Sequence, residues 1–118
     1  MLSFNWDSVM VKNGTKDLGV NSQFSVLKNT RESHPRIKDY TVSRSTITGC
    51  FKDDNGRDGF MFVNFSDPYN MNKDDITVNF NDTSLLLVYE KGVEKIVYGN
   101  TYTFTLEPGE GRFVIPLK

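Results

Sequence analysis

The chain has 118 residues and a net charge of −1, from 14 basic and 15 acidic side chains. This length predicts one domain with a single core, and the balanced charge lacks the basic field that nucleic-acid backbones select. The single cysteine, Cys50, excludes an intrachain disulfide framework and a thiolate zinc site, and its strand-like surroundings predict a buried, inert thiol.

We expect no secretory signal in the first residues, because they lack a basic region followed by an apolar one. The longest apolar run, residues 85–89, is far shorter than the roughly 20 residues that a membrane-spanning helix needs. We therefore expect a soluble chain, cytoplasmic as given, with no membrane and no nucleic acid among its partners.

A strand, a loop and a short helix are predicted for residues 1–35. Residues 3–11 are apolar and strand-like, and residues 12–19 are polar with two glycines. The strand has no parallel partner in the rest of the sequence. We expect it to join the edge of a sandwich or to pair with a second copy, because exposed apolar strands invite aggregation.

The predicted helix precedes Pro35. Phe24 and Leu27 form a short apolar stripe at helical spacing, and a polar residue at position 21 or 22 can cap its start. Pro35 disfavours helical geometry at His34, so the helix should end at or before that residue. We expect His34, the single histidine, to face the C-terminal dipole of this helix rather than to act in catalysis.

Beyond residue 35 the sequence is typical of an antiparallel β-sandwich, with roughly seven or eight short strands separated by turns. Asn55 and Gly56 predict a tight hairpin, since both tolerate positive φ. Residues 59–65 are apolar on both faces, which predicts a central strand. Residues 102–106 and 113–117 predict a final hairpin around a Pro-Gly turn. Other candidate strands lie near residues 40–42, 47–51, 76–80, 85–90 and 93–98.

The acidic residues indicate turns and surface positions rather than catalysis. Asp53, Asp54 and Asp58 predict a solvated hairpin tip. A calcium loop is the alternative, although Arg57 and Asp58 depart from the EF-hand pattern. No glycine-rich phosphate loop or histidine cluster is present in the sequence, so we expect neither a cofactor nor a metal. Asp74, Asp75, Glu107 and Glu110 are expected at the surface, and Glu110, which lies between two glycines, is a candidate for hydrogen bonds to backbone amides of its loop.

Two stretches carry a family resemblance. Residues 48–68 run Thr-Gly-Cys-Phe-Lys-Asp-Asp-Asn-Gly-Arg-Asp-Gly-Phe-Met-Phe-Val-Asn-Phe-Ser-Asp-Pro, and residues 106–117 close the chain. Together they resemble the all-β module that ends certain bacterial glycoside hydrolases of the β-galactosidase-like group, whose catalytic domain is a (β/α)8 barrel. The resemblance covers most of residues 36–118. It implies that residues 36–118 form an accessory domain and that residues 1–35 are a remnant of the last barrel strand and helix.

The resemblance also implies roles for individual residues. Trp6 corresponds by position to a tryptophan that lies beneath the sugar at the end of the last barrel strand. The two catalytic carboxylates of such enzymes lie on earlier strands, which this chain does not contain. Flat aromatic rings stack on sugars, so Trp6 and Tyr69 are candidate sugar-binding residues, with Tyr98 and Tyr102 as further candidates. For Tyr69, which follows a proline in a loop, a packing role is the alternative.

Three functions follow from these observations. The leading prediction is a non-catalytic C-terminal β-sandwich of a glycoside hydrolase, which packs against or stabilises a catalytic barrel absent from this chain. The first alternative is an independent carbohydrate-binding module that uses loop aromatics. The second is a structural or interaction domain that forms a homodimer through the strand at residues 1–11. None of the three is an enzyme in its own right.

Overall fold

The computed structural model describes residues 4–13, 33–65 and 72–118. These residues form nine strands in two antiparallel sheets, so the predicted β-sandwich is confirmed. The strands are β1 (Phe4–Asn13), β2 (Ile37–Val42), β3 (Ser45–Asp53), β4 (Asp58–Asn64), β5 (Asp74–Phe80), β6 (Leu85–Glu90), β7 (Val93–Tyr98), β8 (Thr101–Leu106) and β9 (Gly111–Leu117).

The two sheets differ in size. The larger has six strands in the order β1-β3-β4-β9-β6-β7, and the smaller has three in the order β2-β5-β8. β4 lies inside the larger sheet, as its two apolar faces predict. No helix in the described ranges is long and apolar enough to cross a membrane.

Aromatic side chains join the two sheets in one core. The rings of Phe62 and Phe104 meet edge to face with centroids 5.6 Å apart, and Tyr40 contacts Phe62 at 6.3 Å. Phe60 packs against Phe80 at 5.8 Å. The alternate residues of β4 therefore point inward, and the residues between them point to the opposite face of the larger sheet. Cys50 is fully buried in this core, as predicted.

The predicted final hairpin is wrong. β8 pairs with β5 in the smaller sheet, whereas β9 pairs with β4 and β6 in the larger one. Leu106 and Val114 both point into the core from opposite sheets, so the Pro-Gly turn carries the chain across the sandwich. Asn64 holds this crossing, because its backbone N–H donates to Glu110 O at 3.1 Å and its side-chain amide donates to Leu106 O at 3.0 Å.

β1 lies at one edge of the larger sheet, where it pairs antiparallel with β3. This is one of the two arrangements expected for that strand. The pairing register shifts between Trp6 and Ser8, which marks a bulge. The predicted helix around residues 24–30 lies outside the described residues, and the division of the chain at residue 35 stays a prediction.

The β3–β4 turn is looser than the predicted tight hairpin. Gly56 N donates to Asp53 O at 3.0 Å, and Asp53 N donates to Arg57 O at 3.0 Å. Within this turn only Gly56 has a positive φ, of 80°. A three-residue loop of this kind needs one left-handed residue, whereas a two-residue Asn-Gly turn needs two. Asp53 favours the longer loop, because its carboxylate accepts backbone hydrogen bonds from Asn55 at 3.0 Å and Arg57 at 2.7 Å.

The position of Asp74 also differs from the prediction, which placed this residue at the surface. The residue is fully buried at the start of β5. Its carboxylate accepts hydrogen bonds from the backbone N–H groups of Ser43 at 3.1 Å and Arg44 at 3.0 Å, and it bonds to the Thr46 hydroxyl. Asp74 therefore stabilises the turn by which the chain passes from the smaller sheet to the larger one.

Candidate binding face

The outer face of the larger sheet is apolar. Because Phe60 and Phe62 point into the core, Met61 and Val63 point outward, and the same alternation applies to the paired strands. We call this surface the apolar outer face. Its larger side chains are Phe4, Trp6, Ile47, Phe51, Met61, Leu85, Leu87, Tyr89, Ile96, Tyr98, Phe113, Ile115 and Leu117.

Aromatic rings on this face form one cluster that extends across the sheet from β1 to β6. Phe113 lies at the centre, with ring centroids 5.1 Å from Phe4, 5.9 Å from Phe51 and 6.3 Å from Tyr89. The Trp6 indole meets Phe51 edge to face at 5.7 Å, with an angle of 82° between the rings. These contacts fix the rings at steep angles to one another, so the cluster forms an uneven surface rather than a flat strip.

Two glycines make room for these rings. A Cβ atom at Gly59 would lie 2.5 Å from Phe113 Cζ and 2.9 Å from Phe4 Cε1. A Cβ atom at Gly49 would lie 2.9 Å from Phe51 Cε1. The rings thus pack directly on the strand backbone, which explains why glycine occurs in the middle of otherwise apolar strands.

The most exposed large apolar side chains of the described residues belong mainly to this face. The exposed fractions are 50% for Trp6, 54% for Ile96 and 80% for Tyr98, and Phe65 just after β4 is 47% exposed. Val93 is 61% exposed on the other row of β7. Because solvent-facing sheet surfaces are ordinarily polar, this concentration indicates a contact surface.

The outer face of the smaller sheet is polar by contrast. Its side chains bond to one another across the strands, as in the 3.2 Å hydroxyl pair of Thr77 and Thr103. Thr105 donates to Asp75 at 2.7 Å, and Thr101 donates to Asn79 at 2.7 Å. This surface has the composition expected where a sheet faces water.

The predicted sugar-binding residues have different positions. Trp6 lies half-exposed on the apolar outer face, and Tyr98 lies on the same face at the opposite edge of the sheet. Tyr69 lies outside the described residues. Tyr102 is buried and accepts a hydrogen bond from Arg112 Nη1 at 3.0 Å, so it presents no ring to a ligand.

Arg112 was missed by the sequence analysis. It is buried beside the core, with its guanidinium carbon 5.4 Å from the centre of the Phe104 ring. Its Nη2 atom lies 3.3 Å from Glu110 and 3.5 Å from Glu90. Glu110 also accepts a hydrogen bond from Glu107 N at 2.9 Å, so its predicted bond to a loop amide is confirmed.

His34 is a buried side chain in an ordered polar cluster. Its Nδ1 atom accepts a hydrogen bond from Arg36 N at 3.1 Å, and its Nε2 atom lies 3.6 Å from an Asp58 carboxylate oxygen. Lys52 donates to the same oxygen at 2.8 Å. The imidazole also packs edge to face on Phe60. These contacts hold the residue in place near the start of β4.

The β3–β4 turn differs from the solvated tip that the sequence predicts, because Asp53 and Asp58 are buried and paired with Arg57 and Lys52, while Asp54 is exposed. Burial acts to raise the pKa of the Asp53 carboxyl, but hydrogen bonds from Arg57 and the charge of its guanidinium outweigh burial and lower that pKa below its ordinary value. Arg57 Nε donates to the carboxylate at 2.6 Å. The part of the chain that the structure describes contains no group of three or more residues suited to holding a metal ion.

Comparison with known proteins adds no relative. No family model, curated protein or solved structure matches this chain. The fold and its surface therefore define the class: an antiparallel β-sandwich with one apolar and one polar outer face.

Proposed function

We propose that this chain is a non-catalytic β-sandwich module that docks on another protein domain through the apolar outer face. The contrast between the two outer faces carries this proposal, because exposed apolar surface on one side of a sandwich is typical of an interaction site. The resemblance of residues 48–68 and 106–117 to glycoside hydrolase modules suggests the partner: a (β/α)8 catalytic barrel.

A non-catalytic role agrees with the way the buried acids are used. A glycosidase needs two carboxyl groups about 5 to 10 Å apart, one of them free to give a proton. Here Asp53 is paired with Arg57, and Asp74 bonds to backbone amides of a turn. We expect no turnover of aryl glycosides by the purified chain. Turnover that survives repeated purification would contradict the proposal.

The geometry of the rings favours a protein partner. Sugars stack on flat, accessible aromatic faces, whereas the rings of Phe4, Phe51 and Phe113 meet at 66° to 71° and are each partly buried. An uneven apolar surface of this kind fits interdigitating side chains of another domain.

The single tryptophan makes the docking directly measurable. Trp6 lies on the apolar outer face, so the difference between titrations of the wild-type chain and of Trp6→Phe reports that surface alone, free of the emission that the partner contributes. The DNA upstream of the Met1 codon is sequenced, and the barrel encoded there is expressed and titrated into this chain. We expect a blue shift as the half-exposed indole leaves water. An upstream frame without a barrel, or an unchanged emission, would contradict the barrel as the partner.

Matched variants locate the contact. Phe65 continues the outward row of Met61 and Val63 beyond β4. Phe65→Ser and Tyr98→Ser therefore remove exposed apolar side chains from the apolar outer face, so we expect each to weaken binding by about tenfold, or about 1.4 kcal/mol. Thr103→Ser is the control, because it alters the polar outer face and should leave the affinity unchanged. Equal effects of all three substitutions would show that the apolar outer face is not the contact.

Carbohydrate binding is the second candidate, and the exposure of Trp6 favours it. Its indole is 50% exposed while Phe51 holds it edge-on, which leaves part of the ring available for stacking. In this case, titration with a panel of oligosaccharides quenches the Trp6 emission with saturation. By calorimetry, binding is lost in Trp6→Ala and reduced in Tyr69→Ala. Flat titrations across the panel would exclude this function.

A further inference from the structure

β7 is the edge of the larger sheet opposite to β1. Among the described residues it pairs only with β6, and nearly every side chain along it is exposed. Val93, Ile96 and Tyr98 are apolar and more than half exposed, with fractions of 61%, 54% and 80%. An apolar edge strand of this kind presents unpaired backbone groups beside apolar side chains.

The turn before β7 determines which backbone groups face outward. Lys91 and Gly92 have φ angles of 50° and 80°, as in a two-residue type I′ hairpin, whose flanking residues form a hydrogen-bonded pair. Alternate β7 residues therefore bond to β6, beginning with Val93. The bond from Gly99 N to Ser84 O at 2.8 Å continues this alternation beyond the strand. The N–H and C=O groups of Glu94, Ile96 and Tyr98 consequently point away from the sheet.

The two edges are protected differently. β1 contains a bulge between Trp6 and Ser8, and bulges interrupt the pairing of edge strands. β7 pairs with β6 in continuous register, contains no proline, and carries one lysine, Lys95, in the row that faces away from the apolar outer face. By this comparison β7 is the edge that remains open to another strand.

We propose that two copies of this chain pair through β7, antiparallel about a two-fold axis at Ile96. The three outward-facing residues then all find partners: Ile96 lies opposite Ile96 of the second copy, and Glu94 lies opposite Tyr98 of the second copy. Each such pair exchanges both of its backbone hydrogen bonds. The two larger sheets become one, with both apolar outer faces on the same side.

The sequence of β7 favours this register and a second copy as the occupant. An axis at Lys95 would place two ammonium groups opposite each other, which is unfavourable. An axis at Val97 would leave Glu94 opposite residues beyond the strand. The axis at Ile96 instead places two apolar side chains together on the outer face. The strand is thus complementary to itself, as an isologous interface requires.

Charge exchange at the axis tests both the interface and its register. The full chain is followed by analytical ultracentrifugation from micromolar to millimolar concentration, where we expect a concentration-dependent dimer. Ile96→Lys and Ile96→Glu each place two like charges at the axis, so each should weaken dimerisation more than tenfold. An equimolar mixture of the two variants should restore the dimer, because opposite charges then meet. Circular dichroism verifies that each variant is folded.

A matched control is Val93→Lys, because it adds the same charge to β7 away from the axis and should leave the dimer nearly intact. A wild-type chain that stays monomeric throughout would overturn the proposal. A dimer that resists both Ile96 substitutions would assign the interface to another surface and overturn it too. Failure of the mixture to restore the dimer would exclude the Ile96 register. None of these outcomes bears on docking through Trp6, which is measured with a separate partner.

Discussion

Both outer faces of this sandwich are formed by alternate residues of antiparallel strands, but their side chains differ in polarity. On the smaller sheet, the outward residues are mainly threonine, asparagine and aspartate, and they bond to one another across β5 and β8. On the larger sheet the outward residues are mainly aromatic and aliphatic, and they pack ring against ring around Phe113. The two sheets enclose one core between their inner faces, so folding alone does not require their outer faces to differ in polarity.

The contrast between the two outer faces distinguishes residues that stabilise the fold from residues that are available for binding. The polar face satisfies its hydrogen bonds internally and in water, and it needs no further partner. The apolar face stabilises the fold where rings pack on glycine backbone, yet it still leaves Trp6, Ile96 and Tyr98 exposed. Removing buried parts of that face should therefore affect unfolding, whereas removing its exposed parts should affect only binding.

Phe113→Ala should lower the free energy of unfolding more than any other substitution on the two outer faces. Phe113 is the centre of the aromatic cluster, so its removal leaves Phe4, Phe51 and Tyr89 without their common contact. We expect the free energy of unfolding to fall by about 3 kcal/mol, which is the lower end for loss of a phenylalanine because the ring is only partly buried. Urea unfolding followed by circular dichroism measures this. A loss no larger than that of Thr105→Ala on the polar face would contradict the structural role of the cluster.

Alkaline pH should lower the free energy of unfolding through Tyr40, which lies in the core between the two sheets. Burial raises the pKa of Tyr40 from 10.0 to about 12, and this outweighs the opposing effect of the neighbouring Thr48 hydroxyl. Because the folded pKa is raised, the contribution to stability is complete below pH 10.0 and is lost as the pH rises toward 12. We expect a loss of about 2 to 3 kcal/mol.

Urea unfolding across that pH range provides the measurement, with Tyr40→Phe as the control. The variant has no phenol to ionise at this position, so its stability should depend much less on pH above the ordinary tyrosine pKa. Identical pH profiles for the variant and the wild-type chain would show that Tyr40 is not the group responsible.

Gly59→Ala should produce a smaller loss on the apolar face. Its new methyl group would overlap Phe113 and Phe4, so the rings must move apart, at a cost of about 1 to 2 kcal/mol. Gly111→Ala on the same face is the comparison, because the nearest atom there is the Met61 sulfur, at 3.1 Å, on a flexible side chain. Thermal unfolding should rank Gly59→Ala as the less stable variant, and the reverse order would contradict ring packing on the Gly59 backbone.

The smallest effect is expected on the polar face. The double substitution Thr77→Val and Thr103→Val replaces both partners of an exposed hydroxyl pair with groups of the same shape. Because neither hydroxyl is left without its partner, the free energy of unfolding should change by no more than about 0.5 kcal/mol. Urea unfolding tests this, and a loss above about 2 kcal/mol would show that this face also contributes to the stability of the fold.

Local signals were sufficient to place most strands. The Lys91-Gly92 turn and the apolar runs beside it predicted β6 and β7 with the bounds that the structure has. The buried acid Asp74 was missed, because the turn amides that it binds are 30 residues or more away in sequence. Arg112 was missed for a similar reason: its partners Tyr102 and Glu90 lie on other strands. Side chains that bond across the fold leave no periodic signal.

By itself, the sequence determined that this chain forms short antiparallel strands and where the turns between them fall. In strands with apolar residues in both rows, only the tertiary structure decided which row is inside. In β9 one row is Phe113, Ile115 and Leu117, and the other is Arg112, Val114 and Pro116. Alternation alone favours the wholly apolar row as the inner one, whereas Val114 is the residue that belongs to the core. Contact across the sandwich makes the choice, because Phe62 meets Phe104 in the core and thereby turns Phe113 to the outer face.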